Sequence, residues 1–133
     1  TIEHLPDPKS TLKKINKILK NNGIVIITTP NQKSLVSNLF GKKWFEYKPK
    51  EHLFYYSPQS ISRLLRDCNF DKIKVTRDLH YLSIEYILER IRYYIPMFFI
   101  LVKPLEKIAT LTTFNKTLVS FDKGSMLIIA HKA

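Results

Sequence analysis

Apolar residues recur at helical spacing in two stretches of the chain and run almost unbroken in two others. Leu12, Ile15, Ile18 and Leu19 share one side of a predicted helix, with Lys9, Lys13, Lys14, Lys17 and Lys20 on its other faces. Asp7 is placed to cap that helix, Pro8 suits its first turn, and Asn22-Gly23 stops it. Ile24, Val25, Ile26, Ile27 and Thr28 follow at once. A β-branched run without polar alternation predicts a strand covered on both faces, as in a parallel sheet. Thr29-Pro30-Asn31 ends it, because proline cannot continue a central ladder. Leu35, Val36 and Leu39 then predict a weaker helix over 32–39.

Residues 41–56 show no period and read as a loop, yet Trp44, Phe45, Tyr47, Phe54, Tyr55 and Tyr56 make it far more aromatic than a connector needs. Ser57-Pro58 repeats the cap-plus-proline opening, and Ile61, Leu64, Leu65 and Cys68 follow at amphipathic spacing, closed by Asn69. Residues 70–77 alternate, Ile73 and Val75 against Lys72, Lys74 and Thr76, which predicts a half-exposed edge strand. Residues 82–112 are helical in character, broken at Pro96 and Pro104. Asp122-Lys123-Gly124 reads as a turn, and 126–130 as a second buried strand. Helices alternating with buried strands predict the α/β class. Three strands make a very small sheet, and its first edge stands unprotected.

The 133 residues suit one compact domain or the larger part of one. Twenty-two Lys and Arg against eleven Asp and Glu give a formal charge of +11. Such an excess draws anionic partners, but the lysines are scattered over every segment and read as a generally solvated surface. There is no basic groove with regular aromatic spacing, so no nucleic-acid partner is expected. Cys68 is the single cysteine, which excludes an internal disulfide and fits a reducing, cytoplasmic setting. His4, His52, His80 and His131 are widely spaced, with no carboxylate pair nearby, so no metal site is expected. The apolar run 93–102 is interrupted by Pro96 and is far short of the ~20 residues of a spanning helix. The chain opens on Thr1 without the pattern of a signal peptide, and reads as starting inside a longer gene product.

Glu3-His4-Leu5-Pro6-Asp7-Pro8, a strand ending Thr29-Pro30-Asn31, and Glu51-His52-Leu53-Phe54-Tyr55-Tyr56-Ser57, in that order, resemble the class I S-adenosylmethionine-dependent methyltransferases of the ubiquinone-biosynthesis-like group. Gly41, Trp44, Leu64-Leu65, Asn69-Phe70 and the last strand extend the likeness over nearly all of 1–133, with 82–121 standing apart as a helical insertion. The resemblance implies the C-terminal, substrate-side part of a Rossmann-like methyltransferase domain. This part would carry strands five to seven, the last antiparallel and lying between the other two. The glycine-rich turn with which that family grips its cofactor has no counterpart here, where Gly23, Gly41 and Gly124 lie far apart. The expectation is that S-adenosylmethionine is bound mainly by an N-terminal half, and that the chain alone is inactive.

Methyl transfer from a sulfonium is an in-line displacement, so the protein supplies alignment and, for a protic nucleophile, a base. Histidine suits the second role. The resemblance places Glu3 and His4 beside the cofactor's reactive centre; alternatively they help cap the helix at Asp7. Glu51 and His52 lie in a loop that covers the substrate site in the family, with Glu51 able to orient a basic imidazole, or they form a structural pair that fixes the loop. Trp44, Phe45 and Tyr47 are either an apolar wall for substrate or core. The expected partner is a small-molecule acceptor, free or lipid- or sugar-linked. The sheet edge offers a homodimer contact, and the insertion offers contact with a membrane surface. The rival class is a non-catalytic basic module on nucleic acid or an anionic membrane.

Overall fold

The computed structural model describes residues 1–94 and 118–133, together with Ile100 and Pro104. These fall into two compact units, Thr1–Asp78 with Asp122–Ala133, and Leu79–Phe121. The chain opens with a 3-10 turn, Ile2–His4, and continues through α1 (Pro8–Ile18), β1 (Ile24–Pro30), α2 (Leu35–Phe40) and a 3-10 turn, Gly41–Lys43. Then come α3 (Pro58–Arg66), β2 (Phe70–Ser83), α4 (Ile84–Tyr94) and β3 (Leu118–Lys132). The strands form one sheet in the order β1-β3-β2, and β3 runs antiparallel to β1 from Ile24↔His131 to Pro30↔Ser125. The fold is α/β, with the last strand central, as the resemblance implies.

The helix starts are made by short polar side chains. Asp7 accepts from the Ser10 amide at 2.9 Å, and Ser57 and Ser60 cap α3 reciprocally. Asn22 and Asn69 take left-handed backbone after α1 and α3, where asparagine is tolerated. One core gathers Leu12 from α1, Ile61 and Leu65 from α3, Cys68, Phe70, and the inward row Met126, Ile128 and Ala130 of β3, together with Ile2 and Tyr56. Register puts Val25, Ile27 and Thr29 of β1 opposite that row, so helices and sheet make two packed layers. The Cys68 thiol points at the Lys9 carbonyl, and burial pushes its pKa up, which keeps it unreactive.

Three expectations are corrected. Residues 24–28 are covered on one face only: Val25 and Ile27 pack inward, while Ile24 and Ile26 are 47% and 58% exposed. No described element lies over that second face or pairs with the outer edge of β1. Ile18, expected on the apolar face of α1, is exposed because the helix ends there and Leu19 turns to extended backbone. The turn expected at 122–124 does not interrupt β3: Gly124 adopts φ +85°, a kink inside a continuous strand, with its amide on Asp122 Oδ1 at 2.8 Å. The edge strand 70–77 is observed and continues to Ser83. Of the helical stretch expected over 82–112, α4 is described; residues 95–99, 101–103 and 105–112 lie outside the described residues. In its own unit, Arg90 lies 4.7 Å over the Tyr86 ring.

Gly124 has no room for a side chain. A Cβ there would meet Ser34 Oγ at 2.6 Å and the Trp44 indole at 3.1 Å, on a backbone that L-residues resist. The indole cannot easily retreat, because its N–H donates to the Lys123 carbonyl at 3.0 Å. Gly124→Ala is expected to cost about 2 kcal/mol, read as a lower denaturant midpoint at unchanged slope.

Tyr56 gives a pH signature. Burial first, then the negative charge of Glu3, push its hydroxyl up to about 12. A tyrosine that ionises near 10 when unfolded but later when folded leaves stability intact below that pH, and the stability it contributes is lost as pH rises toward the folded value. Ultraviolet titration is expected to show a late-ionising tyrosine that disappears in Tyr56→Phe, together with part of the alkaline loss of stability.

Candidate functional site

The aromatic loop is folded back onto the first turn of the chain. The amides of Leu53 and Phe54 both donate to the Glu3 carbonyl, at 2.8 and 3.2 Å. A tight turn precedes them, with the Glu51 and His52 amides on the Lys48 carbonyl. The far end is tied to the end of β1, where the Gln32 amide donates to the Tyr56 carbonyl at 2.9 Å. This brings together His4 and His52, which are far apart in sequence: their rings meet edge to face at 4.8 Å.

His4 and Glu3 form the open side of this site. The His4 Nδ1 lies 2.7 Å from the Glu51 carbonyl, which can only accept, so Nδ1 carries the proton and Nε2 of the neutral ring carries the lone pair. That Nε2 stands 3.5 Å from Glu3 Oε1. The Glu3 side chain is only 9% exposed and is held from below by the Thr29 hydroxyl, which donates to Oε2 at 2.9 Å. Burial by itself raises its pKa. Its own backbone and the Thr29 hydroxyl act the other way and favour the carboxylate.

Behind this pair stand buried polar atoms with no partner. His52 is 6% exposed, and its Nδ1 has no hydrogen-bond partner. The Tyr55 and Tyr56 hydroxyls are in the same position; the Tyr55 hydroxyl lies near the Lys48 backbone without a well-formed bond, and burial raises its pKa. Such orphans are rare in folded proteins and mark places where a ligand or water completes the pairing. The rings continue outward from His52 to Tyr55 at 5.7 Å and to Tyr47, stacked on Tyr55 at 5.5 Å.

The remaining expected residues are placed as follows. The Glu51 carboxylate turns outward to Lys48 at 3.7 Å, so it is the Glu51 carbonyl, and not its side chain, that orients an imidazole, and the imidazole is that of His4. Trp44 is buried, with its indole pinned to β3 through Lys123. Phe45 is half-buried and Tyr47 exposed on the row just described. His80 belongs to the second unit and His131 to β3 opposite Ile24.

Glu3, His4 and His52 each bring one donor atom within 4.8 Å of the others, a grouping that wide sequence spacing hid. Donors around a tetrahedral ion with bonds near 2.1 Å lie about 3.4 Å apart; Glu3 Oε1 and His4 Nε2 stand at 3.5 Å, and the widest separation in the set is within 4.8 Å. A separate cleft of about 270 Å³ opens beyond the end of β1, between Asn31, Lys33 and Ser34 on one side and Thr76, Arg77 and Asp122 on the other. Arg77 faces Asp122 there at 3.9 Å. It lies where open α/β sheets bind ligands, beyond the carboxyl end of a strand. Sequence reading missed it because its walls come from four distant segments.

Comparison with known proteins agrees with this architecture. Solved structures similar to it include a Thermotoga maritima S-adenosylmethionine-dependent methyltransferase, described as a possible histamine N-methyltransferase, at 17% identity and a TM-score of 0.57. The match covers 100% of this chain and 53% of that one. An Archaeoglobus fulgidus methyltransferase matches at 20% identity and a TM-score of 0.53, over 98% of this chain and 55% of its own. Haemonchus contortus phosphoethanolamine N-methyltransferase 2, solved in complex with S-adenosyl-L-methionine, matches at 18% identity and a TM-score of 0.50, over 99% of this chain and 31% of its own. The chain thus spans about half the length of the first two. Among curated proteins there is no match to the sequence. No helix of the described residues is long and apolar enough to cross a membrane. The methyltransferase-domain family matches residues 1–75, more than half of the chain, and the protein belongs to that family.

Proposed function

We propose that the whole protein transfers a methyl group from S-adenosylmethionine to a small-molecule acceptor, and that Glu3, His4 and His52 line the place where the acceptor is aligned. The observation that carries this reading is the His4 ring. Its Nδ1–H is committed to the Glu51 carbonyl at 2.7 Å, which leaves the Nε2 lone pair facing the buried Glu3 carboxyl group at 3.5 Å. A base held in one tautomer by backbone, with its free nitrogen turned into the site, is what removal of an acceptor's proton requires.

S-adenosylmethionine, when bound, supplies a methyl group activated by an adjacent positive sulfur. The residues described fit the reacting end of that molecule: Glu3 offers a carboxyl group for a cation, and His4 lies beside it. They offer nothing like a glycine-rich cradle, since Gly23, Gly41 and Gly124 stand apart and Gly124 is closed off by Trp44. In this reading the nucleotide part is held by the rest of the protein.

The chain's own residues then divide the work. Glu3 and His4 border the cofactor's reactive end, with His4 Nε2 taking the acceptor's proton. Glu51 fixes the His4 ring through its carbonyl, and His52 packs edge-on against His4 and presents its unpartnered Nδ1 to the acceptor. Tyr47 and Tyr55 extend an apolar wall for the acceptor's body, with Phe45 beside them in the loop and Trp44 anchoring that loop to β3.

In the full-length protein, with radiolabelled methyl donor, His4→Ala is expected to lower turnover by about 100-fold while leaving the unfolding midpoint nearly unchanged, because His4 is an exposed member of the site. Turnover within twofold of the parent would remove His4 from the mechanism.

A further inference from the structure

The cleft beyond the end of β1 takes no part in the methyl-transfer reading, and its walls carry more positive than negative charge. β1 pairs with β3 only as far as Pro30↔Ser125, after which the Asn31 amide still donates to the Gly124 carbonyl at 2.9 Å. From there β3 continues through Asp122 while the chain after Asn31 turns, which opens about 270 Å³ between them. The turn is held in shape. Asn31 Oδ1 accepts from the Lys33 amide at 2.9 Å, and the Asn31 carbonyl accepts from the Ser34 amide at 3.0 Å. These two bonds fix the backbone that carries Lys33 at the rim.

Two cations and one carboxylate line the cleft: Lys33, Arg77 and Asp122. The carboxylate is already engaged. Its Oδ1 accepts from the Gly124 amide at 2.8 Å, inside the kink made by the Gly124 φ of +85°. Its Oδ2 stands 3.9 Å from Arg77 Nε, an ion-pair distance too long for a hydrogen bond. Asp122 therefore faces the Nε side of the guanidinium and leaves its two Nη groups open. They form the fork that meets a carboxylate or phosphate with two parallel N–H···O bonds. Across the cleft, the Lys33 ammonium has no ion-pair partner among the described residues. Two cations facing one space repel each other and raise the local concentration of anions between them. Val75 and the buried Met126 give the same space an apolar side, suited to the carbon that carries an oxyanion. A volume of about 270 Å³ lies below the roughly 300–1,000 Å³ of pockets that enclose a whole drug-sized ligand, so it fits one end of a molecule.

We propose that this cleft binds the oxyanion end, carboxylate or phosphate, of a small molecule, with Arg77 gripping through its Nη fork and Lys33 closing from the opposite rim. The inference goes beyond the methyl-transfer reading and stands without it, since Glu3, His4 and His52 take no part. A formal charge of +11 gives every anion some affinity for the surface. The fork with its facing ammonium separates the cleft from that background. Arg77 is 73% exposed, so the attraction is screened and binding weakens as chloride is raised.

The full-length protein is titrated with inorganic phosphate, phenyl phosphate and benzoate, and with benzyl alcohol as the uncharged analogue. Backbone amide signals of Ser34, Thr76 and Gly124 are followed by NMR. At least one anion is expected to shift all three saturably, and the alcohol none. Arg77→Lys keeps the charge and loses the fork; it and Lys33→Ala are each expected to weaken that anion at least about fivefold. Lys14→Ala, on an outer face of α1, is expected to change it by less than about twofold. All three side chains are exposed, so the fold survives each change. A response to the phosphates alone, or to benzoate alone, supports the site and identifies which oxyanion it takes. No saturable shift with any anion, or an equal response to benzyl alcohol, would overturn the inference. So would an Arg77→Lys protein that binds as tightly as the parent, or an equal loss in Lys14→Ala, which would show general attraction to a basic surface.

Discussion

A single carbonyl oxygen, that of Glu3, decides where the aromatic loop lies. It accepts from both Leu53 and Phe54, and everything between Lys48 and Tyr56 follows from that anchorage. A loop of this length ordinarily runs free over the surface. Here its last residues are fixed to the turn Ile2–His4 through Leu53 and Phe54 and to Asn31 and Gln32 at the end of β1 through Tyr56, while its start is held to β3 through Trp44. Without the Glu3 clasp there would be no reason for His52 to meet His4.

The same residue carries a nearly buried carboxyl group. Removing Glu3 from water opposes ionisation, and its backbone is at the same time committed to holding the loop. The Thr29 hydroxyl, placed by the inward register of β1 opposite Met126, supplies part of the compensation. Its charge adds to burial, the larger cause, in raising the pKa of Tyr56. A buried anion that depresses its neighbours' acidity yet keeps an oxygen turned toward an imidazole is poorly explained by packing alone. Replacing it by an apolar residue would serve the core better.

Much of the fold was legible because its signals are local. Asp7-Pro8 and Ser57-Pro58 are read from a few adjacent residues, and the buried row of β3 from its own composition. The strand order came from family likeness, which carries long-range information that periodicity lacks. The β1 run misled because β-branched composition records two-sided burial, while the described residues supply cover for one side. Gly124 misled in another way: a glycine after Asp-Lys reads as a turn, and only the crowding of Ser34 and Trp44 shows it to be a kink inside a strand. In the site, the residue types at His4 and His52 were legible, but their meeting was not, since it depends on backbone bonds that any residue at positions 53 and 54 other than proline could make.

That dependence on backbone extends to the chemistry. Sequence reading assigned the orienting role to the Glu51 carboxylate, following the habit by which an acid positions a histidine. In the structure the carboxylate serves Lys48, and the carbonyl one covalent step away holds the ring. A carbonyl fixes the tautomer as firmly as a carboxylate but adds no full charge, so it does not favour the imidazolium to the same degree. The negative charge is supplied instead by Glu3, on the Nε2 side, where the proton would arrive. Orientation and charge are thus separated onto opposite nitrogens of one ring.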